Sequence, residues 1–345
     1  MQGENCLRVR ECTDADSSAW DEFANAHPSS SMFHLFGWRS ILEKALGHRT
    51  YYMIAEQDGN VAGILPLVHV KSLMFGNTLS SLAFSAHAGP LTIDAESLAR
   101  LYESASQKAR ELSVGSLEYR LLAASGRGLP TKHLYESFSK PITSDQEANL
   151  AAIRGKQRNI VRKGIKNGLT CTPDSIERFF HVYSESVRNL GTPVFPKRLF
   201  DGIRTTFPTK VEFVSAEFDG QAVSSAMNFY FRDTVCPYYW GGTAAARDLK
   251  GNDFLAWAIM GLAGERGATT FDFGRSKQGT GAYQWKLNLG FVPQPLFYEY
   301  ELVSDRAIPE INPLNPKYRL FVEAWKRMPL AMAEFIGPWL SRYLG

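Results

Sequence analysis

The chain has 345 residues, of which 44% are hydrophobic and 21% charged, and its formal net charge is +3. These values are typical of a soluble globular protein with one large or two ordinary domains, and the net charge is too small to imply a wholesale nucleic-acid binder. The first residues are polar and mixed in charge, so we expect no signal peptide, and no apolar run approaches the roughly 20 residues that span a bilayer. Cys6, Cys12, Cys171 and Cys236 are scattered, so we expect reduced thiols, no metal site and a cytoplasmic protein.

Two segments predict the same order of elements. TYYMIAEQDGNVAGILPLVHV places Asp58 and Gly59 between β-rich runs, and VEFVSAEFDGQAVSSAMNFYFRD does the same with Asp219 and Gly220. Asp-Gly between alternating apolar runs is a strong hairpin signal, because a type I′ turn needs positive φ at both central residues. A strand, a helix, another strand and a further β-rich piece (KHLYESF; PLFYEYEL) follow each hairpin. We therefore predict an α+β fold built from two similar domains.

The predicted domains are 1–150 and 151–300, and a C-terminal amphipathic helical tail occupies 301–345. Each domain is expected to contain a mixed twisted sheet with one long helix across it. In the second domain that helix is NDFLAWAIMGLAGERG, whose start Asn252 or Asp253 can cap.

The segment QEANLAAIRGKQRNIVRKGIKNGL predicts an interdomain helix with a basic side, since residues 154–166 include six cations and no acid. An exposed helix face without function usually mixes charges of both signs, so this pattern favours anion binding over a merely solvated face. Phosphate is the natural ligand, either on a nucleotide-linked substrate or in an RNA backbone. The residues assigned to it are Lys156, Arg158, Asn159, Arg162 and Lys163.

The next segment, FFHVYSESVRNLGTPVFPKRLFDGI, predicts a helix that ends at Gly191, followed by a second short helix. Arg188 stands at the end of the first helix. Two interpretations are open: a substrate contact, or a cation placed favourably at a helix C-terminus.

The stretch FDFGRSKQGTGAYQWKLNLGF combines charged, aromatic and glycine residues. So many charged residues are unusual in a buried strand, and so many aromatic residues are unusual in a surface loop without function. A site that binds an anion beside a flat or apolar group needs both kinds of residue. Gly279 and Gly281 would let the loop bend and bring backbone N–H groups near a ligand. The residues expected in one pocket are Asp272, Arg275, Ser276, Lys277, Tyr283, Trp285 and Lys286, with Tyr238 and Tyr239 of the preceding strand.

The last segment predicts a helix with Asn315 as its cap and Pro316 in its first turn. Its apolar stripe can pack on the protein body or rest on an anionic membrane surface. The stripe consists of Tyr318, Phe321, Val322, Trp325 and Met328, with Lys317, Arg319, Lys326 and Arg327 elsewhere around the helix.

The order of elements in each half is similar to the GNAT acyltransferase fold, and two such domains with a basic helical segment resemble the Fem family of peptidoglycan aminoacyl transferases. The chain is most similar to the FemAB-like branch that accompanies exosortase/PEP-CTERM exopolysaccharide gene clusters. The resemblance covers nearly the whole chain, and its motifs are SVRNLGTPVFP, PYYWGG, GNDF, FDFGRSKQGTGAYQWK, GFVPQPL, NPLNPKY and WKRMPL…GPWLSRYLG.

The resemblance implies transfer of an amino acid from aminoacyl-tRNA to an amine on a nucleotide-linked or lipid-linked precursor. Fem enzymes carry a lysine in a Phe-Lys or Trp-Lys pair before a Gly-Phe, beside the reacting carbonyl, and Lys286 occupies that place here. A fixed cation there stabilises the negative charge that develops on the carbonyl oxygen. The alternative is a solvated strand lysine. Asp272 either orients Arg275 or accepts a proton from the attacking amine.

One departure from ordinary N-acetyltransferases concerns the donor. Those enzymes hold the coenzyme A pyrophosphate in an Arg/Gln-x-x-Gly-x-Gly/Ala loop, whereas this chain reads ARDLKGNDF. Arg247 and Gly251 are one residue too far apart, and the acid at Asp253 would repel a pyrophosphate. This favours an aminoacyl-type donor, such as aminoacyl-tRNA, or some other carrier-bound acyl group over acyl-CoA, and we expect no permanently bound cofactor.

Three functions remain open at this point. The first is an aminoacyl- or acyltransferase acting on a phosphate-bearing envelope glycoconjugate, with tRNA and the inner membrane face as further partners. The second is an acyl-CoA-dependent N-acyltransferase of an amino sugar, and the third is a non-catalytic binding protein on the same fold. The histidines form no Ser-His-Asp or Cys-His arrangement, which favours direct transfer over a covalent intermediate.

Overall fold

The computed structural model describes residues 7–72, 75–309 and 319–344. The strands are β1 (Arg8–Glu11), β2 (Arg49–Thr50), β3 (Met53–Gln57), β4 (Asn60–Leu65), β5 (Leu67–Ser72), β6 (Gly76–Ser81), β7 (Leu91–Thr92), β8 (Ser116–Leu121), β9 (Thr131–Lys132), β10 (Tyr135–Pro141), β11 (Thr170–Pro173), β12 (Val211–Phe218), β13 (Gln221–Phe231), β14 (Thr234–Gly242), β15 (Thr270–Lys277), β16 (Val292–Pro295) and β17 (Phe297–Leu302). The helices are α1 (Ser17–Ala26), α2 (Trp38–Ile41), α3 (Ala95–Glu111), α4 (Gln146–Ala151), α5 (Gly155–Lys166), α6 (Ile176–Asn189), α7 (Lys197–Thr206), α8 (Ala244–Leu249), α9 (Gly251–Glu265), α10 (Gly281–Asn288), α11 (Arg319–Lys326) and α12 (Leu330–Ser341).

The chain forms two compact units. The first contains residues 7–133, 295–309 and 343–344, and the second contains 134–294 and 319–342. These units differ from the expected boundaries 1–150, 151–300 and 301–345, because strands are exchanged between the two halves of the sequence. Strand β10 follows the first half but pairs with β15, and β17 follows the second half but pairs with β8.

The two units share one strand order, as the repeat predicts. The second unit has a single sheet, β11-β12-β13-β14-β15-β10-β16. The first unit has two sheets, with the orders β1-β3-β4-β7 and β2-β5-β6-β8-β17-β9. The equivalent strands are β3 and β12, β4/β5 and β13, β6 and β14, β8 and β15, and β17 and β10. The parallel pair is β6 with β8 in one unit and β14 with β15 in the other, and α3 or α9 joins its strands. The predicted α+β repeat is confirmed.

The first unit has two sheets where the second has one because its third strand is interrupted. β4 ends at Leu65, β5 begins at Leu67, and Pro66 between them has no N–H to donate to a ladder. The equivalent β13 runs unbroken for 11 residues and pairs with strands on both sides.

Both predicted hairpin turns have the positive φ angles that they require. Asp58 and Gly59 have φ of 51° and 81°, and Asp219 and Gly220 have 49° and 76°. The prediction for the start of α9 is wrong, however. The helix begins at Gly251 after Lys250 in the left-handed conformation, so Asn252 and Asp253 lie inside the first turn rather than at the cap.

The predicted basic helix is two helices, α4 and α5, separated by residues 152–154. The break buries Ile153, which is 1% exposed, and both helices belong to the second unit. α6 ends as predicted, since Gly191 has φ of 79° and the N–H of Thr192 donates to Val187 O at 2.9 Å.

Asn315, Pro316, Lys317 and Tyr318 of the predicted tail helix lie outside the described residues, as does Cys6, whereas Cys12, Cys171 and Cys236 are free thiols. Across residues 7–72, 75–309 and 319–344, no helix has the length and apolar character needed to cross a membrane.

Candidate functional site

A wedge opens between the parallel strands β14 and β15 of the second unit. Their ladder contains only the pairs Thr234–Thr270 and Val235–Phe271. Just beyond this ladder, each of the two strands has one extra residue relative to the strand on its other side. Tyr238 is the extra residue of β14 against β13, and β15 gains one residue against β10 between Asp272 and Arg275. Bulges bend a strand and release it from pairing, so the two strands part here.

The bend of β15 is centred on Gly274. Its φ of 61° lies in the left-handed region that favours glycine. The carboxylate of Asp272 supports this turn, since its Oδ1 atom accepts a hydrogen bond of 2.8 Å from the Gly274 N–H. The same oxygen accepts from the Ser137 hydroxyl at 3.4 Å. Asp272 therefore helps to hold the backbone of the wedge in shape.

The bend directs three successive carbonyl groups towards one cation. Lys286 Nζ donates to the carbonyl oxygens of Phe273, Gly274 and Arg275, at 2.6, 3.1 and 3.2 Å. We call these three oxygens the carbonyl niche. In a regular strand successive residues face opposite ways, so the niche depends on the left-handed Gly274. An ammonium has three N–H donors, and all of them are used here.

Lys286 is 5% exposed and lies in helix α10, whose first turn Thr280 caps. Its Nζ atom lies 5.2 and 5.1 Å from the ring centroids of Phe138 and Phe273. Burial in this apolar setting lowers the pKa of the ammonium to about 8, against the opposing charge of Asp272. The interpretation as a solvated strand lysine is therefore wrong.

The first turn of α9 is occupied by side chains of the chain itself. Asn252 Oδ1 accepts from Trp240 Nε1 at 2.9 Å. Asp253 Oδ1 accepts from Trp285 Nε1 at 2.7 Å and also from the Gln157 amide. Burial raises the pKa of the Asp253 carboxyl despite these hydrogen bonds. The junction joins α5, α9 and α10 and puts an acid where an anionic ligand would bind.

The aromatic residues predicted for the pocket have several settings. Trp285 is tied to Asp253, and the Tyr283 hydroxyl donates to Glu136, so both are fixed. Tyr238 borders the wedge, with its ring 3.6 Å from where a Cβ on Gly274 would lie. Tyr239 is instead packed among rings, with the Phe200 centroid at 5.0 Å. It is a core residue.

The remaining predicted residues of β15 also differ in setting. The guanidinium of Arg275 lies over the ring of Tyr135 at 4.8 Å. Ser276 is buried in the strand, and the carbonyl of Lys277 accepts from the Thr280 hydroxyl at 2.7 Å. Of this group, Arg275 contributes a carbonyl to the niche.

The basic face of α5 is open to solvent. Lys156, Asn159, Arg162 and Lys163 are exposed and make no side-chain hydrogen bond or ion pair within the described parts of the chain. Arg158 differs, because its guanidinium donates to the carbonyls at the end of α4, including Ala151 O at 2.7 Å. Its prediction as a phosphate ligand conflicts with this capping contact.

Arg188 bonds to the backbone of the C-terminal segment. Its Nη1 atom donates to the carbonyl of Met328 at 3.2 Å, which ties α6 to the segment between α11 and α12. The contact favours a structural role over the substrate contact that was the other interpretation.

Sequence reasoning missed a second buried lysine beside the wedge. Lys140 of β10 is 7% exposed, and its Nζ atom donates to Leu289 O at 3.3 Å, just after α10. Burial lowers the pKa of its ammonium. The signal was available, because in an alternating strand Lys140 shares a face with the buried Phe138.

The first unit closes the equivalent position with its own backbone. Residues 82–89 follow β6 and run beside β8, with Leu82 and Phe84 at φ of 52° and 74°. Arg120 Nη1 donates to Ser85 O at 2.9 Å, and the Tyr298 hydroxyl donates to Ala86 O at 2.6 Å. In the second unit the segment after β14 forms helix α8 instead. The open wedge is thus a feature of the second unit.

Part of the second unit is similar to a known protein family. Residues 150–287 match the family model of the acetyltransferase (GNAT) domain. The chain has a tandem GNAT fold. The GNAT match covers β14, β15 and α10 up to Leu287, and so includes the wedge and Lys286. No curated protein matches the chain in sequence.

Solved structures with the same fold include the crystal structure of FemX, which is 15% identical, with a TM-score of 0.67 over 91% of this chain and 100% of that one. The C-terminal domain of a putative lysylphosphatidylglycerol synthetase from Agrobacterium fabrum is 14% identical, with a TM-score of 0.55 over 83% and 91% of the two chains. A tandem GNAT protein from the clavulanic acid biosynthesis pathway is 12% identical, with a TM-score of 0.53 over 86% and 98%. At these identities the likeness concerns the fold alone.

Proposed function

We propose that the second unit is a Fem-like transferase that forms an amide between an aminoacyl or acyl group and an amine of a cell-envelope precursor or exopolysaccharide. The observation that carries this proposal is the buried Lys286 ammonium, fixed by the carbonyl niche where β14 and β15 part. A fixed charge in a site of low dielectric acts on developing charge far more strongly than a solvated one.

The chemistry assigns Lys286 to the carbonyl oxygen of the donor. The amine nitrogen attacks the ester or thioester carbon, and negative charge develops on the oxygen. The C–O or C–S bond then breaks, and the leaving group takes the proton that the amine loses. Lys286 stabilises the oxyanion by exchanging its longest niche bond, to Arg275 O at 3.2 Å, for a bond to that oxygen.

Asp272 has a positioning role in this scheme, because it accepts from the Gly274 N–H and so shapes the niche. Its second assigned role is to accept the proton from the attacking amine and to pass it to the leaving group. In neither role does Asp272 form a covalent bond with the substrate.

The start of α9 supports an aminoacyl ester on tRNA over acyl-CoA as the donor. A partly buried Asp253 disfavours a pyrophosphate at that helix end. Two structural neighbours carry names that fit an aminoacyl or envelope role, FemX and the putative lysylphosphatidylglycerol synthetase. The GNAT domain match keeps acyl-CoA as the competing donor.

A thermal-shift comparison tests the donor. We expect uncharged total tRNA and UDP-glucosamine to raise the melting temperature, and coenzyme A to leave it nearly unchanged. Asp253→Asn removes the charge but keeps an oxygen acceptor, so it should increase the response to coenzyme A. Strong stabilisation of the wild-type protein by coenzyme A, unaltered in Asp253→Asn, would favour the acyl-CoA reaction instead.

The basic face of α5 is proposed to bind the phosphate groups of the substrate. Lys156→Glu/Arg162→Glu should abolish most of the stabilisation by tRNA or the uridine nucleotide. It should leave the melting temperature without ligand nearly unchanged, because exposed charges contribute little to stability.

A matched control exists in the first unit, where Arg8 and Lys71 are also exposed. Arg8→Glu/Lys71→Glu changes the net charge equally and should preserve the ligand response. Equal losses in both double variants would mean that only the overall charge matters. A large fall in melting temperature with unchanged ligand response would make the α5 face structural.

A further inference from the structure

Helix α12 has its small residues inside and its large apolar residues outside. Ala333, Gly337 and Ser341 are buried. Met332, Phe335 and Trp339, on the opposite face, are 49%, 77% and 70% exposed. A surface helix of a globular protein normally shows the reverse arrangement, with its large apolar side chains facing the core.

Close packing fixes this orientation. A Cβ on Gly337 would lie 2.7 Å from Val194 N and 2.8 Å from Val194 O, distances that real Cβ atoms essentially never show. Only a face of small side chains can approach the backbone so closely. Phe335 and Trp339 therefore cannot exchange places with the buried residues by a rotation of the helix.

The preceding helix also exposes large apolar side chains. Leu320 and Phe321 of α11 are 82% and 42% exposed, whereas Trp325 is buried. The helix is held by Val322, which contacts Gly191 at the end of α6. Of the ten large hydrophobic side chains exposed in the described residues, five lie in 319–344. We call them the tail patch: Leu320, Phe321, Met332, Phe335 and Trp339.

Cationic groups flank the tail patch. A groove of about 450 Å³ beside Trp339 is lined by Arg198 and Arg342, with one acid, Glu334. Lys197 lines it too, and forms ion pairs with Glu177 and Asp201. Arg327, between the two helices, is exposed. Large apolar side chains with arginines at their border match the boundary between the acyl chains and the anionic headgroups of a bilayer.

We propose that the tail patch docks on an anionic membrane surface. Phe335 and Trp339 enter the headgroup–acyl boundary, and Arg198 and Arg342 face lipid phosphate. The proposal concerns a peripheral contact and does not depend on the transferase chemistry, so either one can fail alone.

Co-sedimentation of the full chain with phosphatidylcholine vesicles, with and without phosphatidylglycerol, tests the proposal. We expect the wild-type protein to bind, and to bind more strongly with phosphatidylglycerol. Phe335→Ser/Trp339→Ser should weaken binding by at least about tenfold, because both side chains lose their apolar contact. Arg198→Gln should reduce only the gain from phosphatidylglycerol.

The matched control is Ile93→Ser/Leu122→Ser, which removes two large apolar side chains that are 63% and 46% exposed in the first unit. It should bind vesicles like the wild-type protein. Absence of wild-type binding, or equal binding by Phe335→Ser/Trp339→Ser, would overturn the proposal. A different result in sedimentation velocity would also overturn it: a wild-type protein that is a dimer and does not bind vesicles, and a Phe335→Ser/Trp339→Ser variant that is a monomer. The tail patch would then join two copies of the chain.

Discussion

Lys286→Ala is expected to lower the single-turnover rate of amide formation by about 10²–10³-fold, a loss of about 2.7–4 kcal/mol of transition-state stabilisation. Binding of the donor and acceptor should change much less, since the charge that Lys286 stabilises develops only in the transition state. The rate can be followed as alkali-stable label passed from total aminoacyl-tRNA to a uridine-nucleotide-linked amino sugar, because alkali hydrolyses the ester but not the amide.

The control for this variant is Lys140→Ala, which removes a second buried lysine whose ammonium bonds to Leu289 O rather than to the niche. We expect it to lower stability and leave the rate per folded molecule nearly unchanged. A Lys286→Ala protein that folds, binds and transfers like the wild type would assign the lysine a structural role. Its three bonds to backbone carbonyls would then be its whole function.

The lowered pKa of Lys286 predicts a pH dependence. If the ammonium form is required, the rate should fall as the pH rises through about 8. Lys286→Arg, which stays charged, should keep its residual rate at higher pH. The same lowered pKa makes stability increase with pH. Between about pH 8 and the ordinary lysine pKa, Lys286 has lost a proton in the folded protein that it keeps in the unfolded chain. The free energy of unfolding therefore increases as the pH rises through this range.

Arg120→Met is expected to cost about 3–5 kcal/mol of stability, the usual effect of leaving a buried charge without its partner. Arg120 and Glu118 are 3% and 7% exposed, and their side chains are 3.0 Å apart. Burial alone would raise the pKa of Glu118, but the Arg120 charge and hydrogen bonds from Ser80 and Tyr300 outweigh it and lower that pKa. Loss of Arg120 also frees Ser85 O, to which its guanidinium donates.

Chemical denaturation measures this loss, and Glu118→Leu/Arg120→Met is its control. Removing both charges should recover much of the stability, because the cost arises from the unpaired carboxylate. If Arg120→Met instead melts like the wild type and loses activity, Arg120 contacts substrate, and the first unit takes part in the reaction.

The repeat could be predicted from sequence because its signals are local. Asp58-Gly59 and Asp219-Gly220 specify turns by their own backbone preferences. The exchange of β10 and β17 could not be predicted, since KHLYESF and PLFYEYEL are equally suited to pair with either unit. Pairing between distant strands is a tertiary choice that residue patterns within a strand do not encode.

The sequence predicted which residues belong to the candidate site better than it predicted how they are arranged. The aromatic and charged residues of 271–291 indicated a site, and Lys286 lies at the wedge. Its place in a short helix was missed, because α10 has eight residues and no clear apolar face. Arg158 and Arg188 were assigned by charge alone, whereas backbone carbonyls of Ala151 and Met328 bind them.

The most direct measurement for the central claim is a crystal structure with a phosphonate analogue that joins an aminoacyl group to an amine and mimics the tetrahedral intermediate. The account predicts a phosphonyl oxygen in the wedge between β14 and β15, within hydrogen-bond distance of Lys286 Nζ, with the bond to Arg275 O displaced. An analogue bound elsewhere, with all three niche bonds intact, would contradict it.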